Sequence, residues 1–413
     1  MSKPPFDVVV FGASSFVGAI LSRYLWGRHG ASGELRWAMA GRSKAKLEAV
    51  RAGFGAGGEA IPLIEADAAD EAALRAMCAQ TRVIVSTVGP YALYGEPLVK
   101  VCADTGTDYC DLTGEPQWIA RMLERYEDKA KQSGARIVHC CGFDSIPSDL
   151  GVWFLQREAK QRYGHPLPRV RMRVRTLRGG FSGGTVASLL NAVDEAKRDP
   201  AMRKALANPY SLCPPGTRNS TRQPKPRSGE FDPEFKVFTA PFVMAAINTR
   251  IVQRSNALLG RAYGEDFRYD EAMMTGRGFK GRFSGITAGA GLGGFMVAAA
   301  IPPTRWALEK FVLPAPGEGP TPEQQEKGRF DMRFHGRDAH DHTLVCKVTG
   351  DRDPGYGSTG KMLGEAAACL ALETPKEQVA GGFLTPATAM GDRLIERLVK
   401  HAGLEFEVLG ETA

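Results

Sequence analysis

Two glycines, two serines and an apolar helix meet in the stretch Asp7-Val-Val-Val-Phe-Gly-Ala-Ser-Ser-Phe-Val-Gly18, a combination suited to holding phosphate. An apolar strand ends at Gly12, which permits a sharp turn, and Gly18 lets the following helix, Phe16 to about Trp26, lie close on that strand. The backbone N–H groups of Ala13, Ser14, Ser15, Phe16 and Val17 surround the helix start, where the helix dipole favours a dinucleotide pyrophosphate. Ser15 occupies the place of the usual middle glycine; it is small, and its hydroxyl is a donor for a phosphate. The second strand, Leu35–Ala40, leads into Gly41-Arg42-Ser43-Lys44. An NAD site needs a carboxylate here to accept from the ribose hydroxyls, yet no acid lies between Arg36 and Lys46. Arg42, flanked by Ser43 and Lys44, instead suits the 2′-phosphate of NADP.

The elements that aim these residues alternate regularly. Further strands are expected at Ile61–Asp67, Arg82–Val88, Thr107–Leu112 and Ala135–Cys140, with helices near 44–52, 70–80, 96–105 and 117–133. Short apolar strands separated by helices imply an α/β fold, a Rossmann-like doubly wound parallel sheet over residues 1–150 that binds ligands at its carboxyl edge. Beyond Leu150 the pattern changes. Arg169–Arg175 alternates, with four arginines on one face and apolar residues on the other, as in a strand with one wet face. Gly179–Thr185 leads to a helix expected at Val186–Arg198, and a mobile loop is expected near 213–235. A hairpin (329–335 with 342–348), helices at 360–372 and 387–401, and a strand at 404–408 complete a second, α+β domain, residues 151–413, built on an antiparallel sheet. Its C-terminal helices are expected to pack back on the first domain.

With 413 residues the chain is long enough for two cores. Its 8 cysteines form no CxxC pairs, which suits a reducing compartment, and Met1–Phe6 has no signal-peptide pattern; a cytoplasmic protein is expected. The net charge of +7 is modest, and no nucleic-acid-binding motif or broad basic stripe is present.

Several segments, taken together and in order, carry a resemblance. They are Gly89-Pro-Tyr-Ala-Leu-Tyr-Gly-Glu-Pro-Leu-Val99, Gly106-Thr-Asp-Tyr-Cys-Asp-Leu-Thr-Gly-Glu115, Cys141-Gly-Phe-Asp-Ser-Ile-Pro-Ser-Asp-Leu-Gly151, Ser182-Gly-Gly-Thr185, Asp353-Pro-Gly-Tyr-Gly357 and Gly382-Phe-Leu-Thr-Pro-Ala387. Along nearly its whole length the chain resembles the saccharopine dehydrogenase-like oxidoreductases, in particular the bacterial trans-acting enoyl reductase branch. The resemblance implies an NADP-binding Rossmann domain, a second domain, and reduction of an enoyl thioester in polyketide-type lipid synthesis. A saccharopine-type dehydrogenase acting on an amino-acid C–N bond, or a nucleotide-binding scaffold at a lipid surface, is the alternative.

Enoyl reduction needs a hydride at Cβ, a donor to the enolate oxygen and a proton at Cα. The loop Val88-Gly89-Pro90 is expected beside the nicotinamide ribose, with Tyr91 and Tyr94 as candidate donors and packing against the cofactor as their alternative role. His139 at the end of the sixth strand is either a proton donor or a core histidine. Asp111, Thr113 and Glu115 are expected to cap a helix, with shaping of the pocket as the other role; Asp144 or Ser148 is expected as a cap of the next helix, and Asp67 either borders the adenine or serves a turn.

No metal site is expected, since His335, Asp338, His340, Asp341 and His342 suit a wet hairpin turn. The segment Gly285–Ile301 is uncharged and apolar, with basic residues on both flanks. It is either a buried segment or an interfacial one giving peripheral contact at the inner face of the plasma membrane. The arginine face of 169–175 is either plain solvated surface or a docking site for an acidic acyl carrier protein, and a homodimer is a further expectation.

Overall fold

The computed structural model describes residues 4–179, 207–217, 221–311 and 319–412; the Ser182–Thr185 motif and the helix expected at 186–198 lie outside them. In the first half, strands β1 (Phe6–Phe11), β2 (Trp37–Gly41), β3 (Leu63–Glu65), β4 (Thr81–Ser86), β5 (Asp108–Asp111) and β6 (Arg136–Val138) alternate with helices. These helices are α1 (Phe16–His29), α2 (Lys44–Ala52), α3 (Glu71–Cys78), α4 (Tyr91–Tyr94), α5 (Glu96–Thr105) and α6 (Pro116–Ser133). Helix α7 (Ile146–Tyr163) leads to β7 (Arg169–Arg178), β8 (Glu230–Asp232), β9 (Val237–Pro241), helix α8 (Ala245–Leu258) and β10 (Arg268–Gly276). Helices α9 (Gly278–Ala300), α10 (Pro302–Phe311) and α11 (Pro322–Lys327) precede the hairpin β11 (Arg329–Arg337) and β12 (Thr343–Gly350). Helix α12 (Thr359–Leu372), strand β13 (Gly382–Leu384), short helices at Pro386–Ala389 and Gly391–Arg397, and strand β14 (Leu404–Thr412) end the chain.

The first sheet is parallel throughout, in the order β13-β6-β5-β4-β1-β2-β3. Val8, Val9, Val10, Val83, Ile84 and Val85 are fully buried, as continuous apolar strands must be when helices cover both faces. The order reverses between β1 and β4, the place where doubly wound sheets open a ligand crevice. One compact unit holds the chain to Ile146 together with Gly355–Gly403; the other begins at Pro147 and takes Pro320–Pro354 and Leu404 onward. The chain therefore returns to its first unit near the C-terminus, where β13 extends the parallel sheet and α12 lies on α1, β1, β4 and β5. Glu365 of α12, fully buried, accepts from Tyr24 Oη–H on α1 and from Arg397 Nε–H at 2.7 Å, tying that return in place.

The second sheet runs β14-β12-β11-β7-β10-β9-β8. It is antiparallel, as expected, except for the single parallel pair β7–β10. The alternation of β7 holds on its apolar face, where Val170, Met172 and Val174 are buried. The arginine face differs from a wet, unpaired row. Arg173 is buried between Asp232 Oδ2 (2.7 Å) and Asp270 Oδ1 (2.6 Å), Arg171 reaches Asp232 at 3.4 Å, and Arg175 stands 3.7 Å from Asp331. Carboxylates from other strands neutralise these cations. The loop expected to be mobile near 213–235 contains strand β8, and the buried Gln223 is clamped by Tyr269 N–H (3.0 Å) and the Phe267 carbonyl (2.9 Å).

On β10 of this sheet Glu271 is buried, accepting from Tyr269 Oη–H (2.7 Å) and Asn248 Nδ2–H (3.0 Å). Burial raises its carboxyl from 4.5 to about 7, against the lowering effect of those hydrogen bonds. The unfolded chain ionises Glu271 from about pH 4.5 upward, while the fold keeps the proton to about pH 7. This group therefore weakens the fold progressively across that interval, by up to about 3 kcal/mol once both are passed. Glu271→Gln is expected to flatten the dependence, raising the unfolding midpoint relative to wild type more at pH 8 than at pH 5. Parallel thermal unfolding curves at the two pH values check this.

Candidate active site

The glycine turn is built as a cradle. Gly12 has φ +85°, open to glycine without strain, and a Cβ there would stand 2.7 Å from Val88 Cγ2 and 2.8 Å from Thr87 Oγ1. At Gly18 a Cβ would lie 2.1 Å from the Gly12 carbonyl oxygen, so only glycine allows α1 to approach β1 this closely. The N–H groups of Gly12 and Ala13 donate to the Ala40 carbonyl, pinning the turn to the end of β2. Ser15 is the N-cap of α1, its Oγ accepting from Gly18 N–H at 3.0 Å. Its hydroxyl also meets Thr87 Oγ1 at 3.0 Å, and Thr87 donates in turn to the Gly12 carbonyl at 2.9 Å. The expected phosphate donor Ser15 is thus turned inward, into a relay that locks the turn to the end of β4. Thr87, which the sequence reading passed over, is the centre of that relay. Ser15 takes up the Gly18 and Ala19 N–H groups, which leaves those of Phe16 and Val17 at the helix mouth for a phosphate.

Arg42 follows β2 directly; it is exposed and has no carboxylate partner among the described residues. Ser14 Oγ lies 3.8 Å from the Cβ position of Gly41, on the same corner. Ser43 caps α2 by accepting from Lys46 N–H, and Lys44 is its exposed first residue. Glycine cradle, helix mouth and an unpaired exposed cation together fit NADP. Asp67 forms a turn with Ala69 N–H at 2.9 Å and faces solvent.

The carboxyl ends of β4, β5 and β6 carry the titratable groups. Val88, Gly89 and Pro90 leave β4 beside the glycine turn. Tyr91 is a core residue whose hydroxyl donates to the Ser86 carbonyl (2.9 Å) while its ring packs on Trp118 (5.4 Å), the packing role expected as its alternative. Tyr94, on the same short helix, is half exposed. Glu115 does cap a helix, though an earlier one: its carboxylate accepts the Tyr91 and Ala92 N–H groups, both at 3.0 Å, at the start of α4.

Asp111, fully buried, collects Tyr109 Oη–H (2.9 Å), His139 Nδ1–H (2.7 Å) and the Thr113 and Cys140 N–H groups (both 3.1 Å). His139 is a core histidine with its ring against Trp118, Tyr109 and Phe383, and its Nε2 is enclosed without a hydrogen-bond partner among the described residues. The next residue, Cys140, is held at φ +63°, a strained conformation of the kind that gathers at ligand sites.

Past that kink, Asp144 bends back toward Gly142, where a Cβ would meet its Oδ2 at 2.9 Å. Protein surrounds this carboxyl while leaving it a contact with solvent, and no cation pairs with it among the described residues. Burial, reinforced by the charge of Asp111, raises its pKa from 3.8 to about 7. The Asp144 carboxyl therefore keeps its proton to a higher pH than an exposed aspartate does. Sequence reading gave it a capping role, because neither its burial nor the nearness of Asp111 is written in local spacing.

The histidine cluster lies in the second unit and is a turn. Asp338 accepts His342 Nδ1–H (2.6 Å) and the His340 and His342 N–H groups (2.8 and 3.0 Å), while His335 pairs with Glu234 at 3.5 Å. His165, not grouped with them by sequence, stands 3.6 Å from Asp338.

Comparison with known proteins gives four findings. The family profile described as the saccharopine dehydrogenase NADP binding domain matches residues 8–138. A Mycobacterium tuberculosis H37Rv protein, provisionally named a trans-acting enoyl reductase, is 42% identical over 402 residues, covering 95% of both chains. The trans-acting enoyl reductase of Mycobacterium ulcerans Agy99 is 38% identical over 406 residues, again covering 95% of both. Among solved structures, apo histidine-tagged saccharopine dehydrogenase (L-Glu forming) from Saccharomyces cerevisiae superposes with a TM-score of 0.55 at 16% identity, covering 98% of this chain and 100% of that one, which establishes a shared fold.

Proposed function

This chain belongs to the trans-acting enoyl reductases of the saccharopine dehydrogenase-like family, and from that premise we propose that it reduces the C=C bond of an enoyl thioester at the expense of NADPH. The Phe16 and Val17 N–H groups hold the pyrophosphate and Arg42 the 2′-phosphate. Bound NADPH supplies a hydride to the enoyl Cβ. Asp144 keeps a proton at neutral pH and gives it to Cα, completing the reduction. The Asp111–His139 pair and the strained Cys140 fix the loop that presents Asp144.

The observation that carries this reading is the likeness to the trans-acting enoyl reductases over 95% of the chain, together with Asp144, whose carboxyl is raised by burial and by Asp111 at the carboxyl edge of the sheet that also forms the glycine cradle. The acyl group arrives on an acyl carrier protein in this proposal. Three of the four arginines on that face of β7, Arg171, Arg173 and Arg175, are taken up by Asp232, Asp270 and Asp331, so the encounter is not assigned to that strand.

The direct check mixes the protein with NADPH and follows nicotinamide absorbance as candidate substrates are added. Oxidation is expected with enoyl thioesters on a carrier or its pantetheine fragment, and none with imino acids. Oxidation with imino acids alone would replace this reading by amino-acid dehydrogenation.

A further inference from the structure

Helix α9 packs on its own domain for only part of its length. Gly281, Gly285 and Gly289 recur every fourth residue, one face of a helix, and that face lies on the β8–β9 edge. A Cβ at Gly285 would stand 2.7 Å from the Thr239 carbonyl oxygen, and one at Gly289 would run into Ser228 Oγ at 1.8 Å. From Gly291 the situation reverses: Cβ positions at Gly291, Gly293 and Gly294 meet nothing within 4 Å among the described residues.

This far half of α9 and the turn into α10 carry large apolar side chains in solvent. Val297 is 60% exposed, Ile301 46% and Trp306 58%; nearer the base Phe279 and Phe283 are 82% and 60% exposed. A water-facing turn between helices is ordinarily polar, but this one reads Val297-Ala-Ala-Ala-Ile-Pro-Pro303. No Asp or Glu occurs between Glu271 and Glu309, while Arg277, Lys280 and Arg282 stand at the base of the hairpin and Arg305 and Lys310 on its return arm. The Lys310 ammonium lies over the Trp306 ring, 4.8 Å from its centre.

We propose that the α9–α10 hairpin docks the enzyme on an anionic phospholipid bilayer, dipping its apolar turn into one leaflet. Helix α9 has 23 residues, an 18-residue stretch of which has mean hydropathy 1.4, long enough by itself to cross. The half beyond Gly291 rises only about 15 Å, however, short of the roughly 30 Å of a hydrocarbon core. With its first half held to the sheet and α10 running back, the hairpin enters from one side only. Trp306 then sits at headgroup level, and the five cations meet lipid phosphates. The charge argues for lipid over a second copy of the chain: two copies packed through this face bring like-charged basic flanks together, whereas an anionic surface pairs with all of them. The cytoplasmic leaflet is the surface the proposal assigns. The inference is independent of the reaction catalysed.

The test is flotation of the full-length protein with vesicles of phosphatidylcholine and phosphatidylglycerol (about 7:3) and of phosphatidylcholine alone, for wild type and the double variant Val297→Asp, Ile301→Asp. Wild type is expected to float with the anionic vesicles, with recovery falling several-fold in high salt or on neutral vesicles. The variant is expected to stay at the bottom with unchanged molar mass and NADPH affinity, since both side chains are exposed and lie outside the cofactor site. Wild type that fails to float, or a variant that floats equally well, overturns the proposal. A molar mass halved in the variant without vesicle binding by wild type overturns it in favour of self-association.

Discussion

Arg42→Glu is expected to weaken NADPH binding about 100-fold while leaving NADH binding within a fewfold of wild type. The guanidinium follows β2, exposed and without an acidic partner, so its removal breaks no internal ion pair and leaves the fold intact. Hydrogen bonds to a charged group contribute about 1.5–3 kcal/mol, and a carboxylate in the same place adds repulsion toward the 2′-phosphate. NADH lacks that phosphate, and a glutamate here is able to accept from its ribose hydroxyls. Fluorescence titration of both nucleotides against both proteins checks the prediction. Equal weakening of NADPH and NADH would place Arg42 away from the 2′ position.

Asp144→Asn is expected to lower kcat by about 10²–10³-fold, with NADPH affinity unchanged. The sign of the pH dependence follows from the raised pKa. Asp144 must carry its proton to act as acid, so the wild-type rate holds below about pH 7 and falls above it as the carboxyl ionises. In the variant the residual rate loses that limb. Asparagine keeps the size of the side chain, so a rate loss with nucleotide affinity and unfolding midpoint preserved separates proton delivery from a structural effect. A variant with wild-type kcat would pass the role to Tyr94, the half-exposed tyrosine at the same edge.

Legibility in the sequence followed the range of the interactions involved. The parallel sheet and its glycine turn were readable because each strand, helix and turn is specified within about 20 residues by apolar runs, caps and glycines. Arg42 was readable for the same reason, its place fixed by counting from the turn. What escaped depends on residues far apart. Strand β13 joins β6 across more than half the chain, and Arg173 is neutralised by Asp232 and Asp270, neither adjacent to it in sequence. Tyr91 looked available for catalysis until Glu115 and Trp118 were seen to close around it. Asp144 looked like a cap until burial and Asp111 gave it a proton. The apolar segment at 285–301 was ambiguous, because composition does not tell which half of a helix its own domain covers.

The central claim, hydride addition to an enoyl carbon, is tested most directly by a single turnover with NADPH deuterated at the transferable C4 position and an enoyl thioester. Mass spectrometry of the product is expected to find one deuterium, at Cβ, in a saturated acyl chain. An acyl chain recovered unsaturated and without deuterium, after NADPH has bound, would contradict the assignment of this site to enoyl reduction.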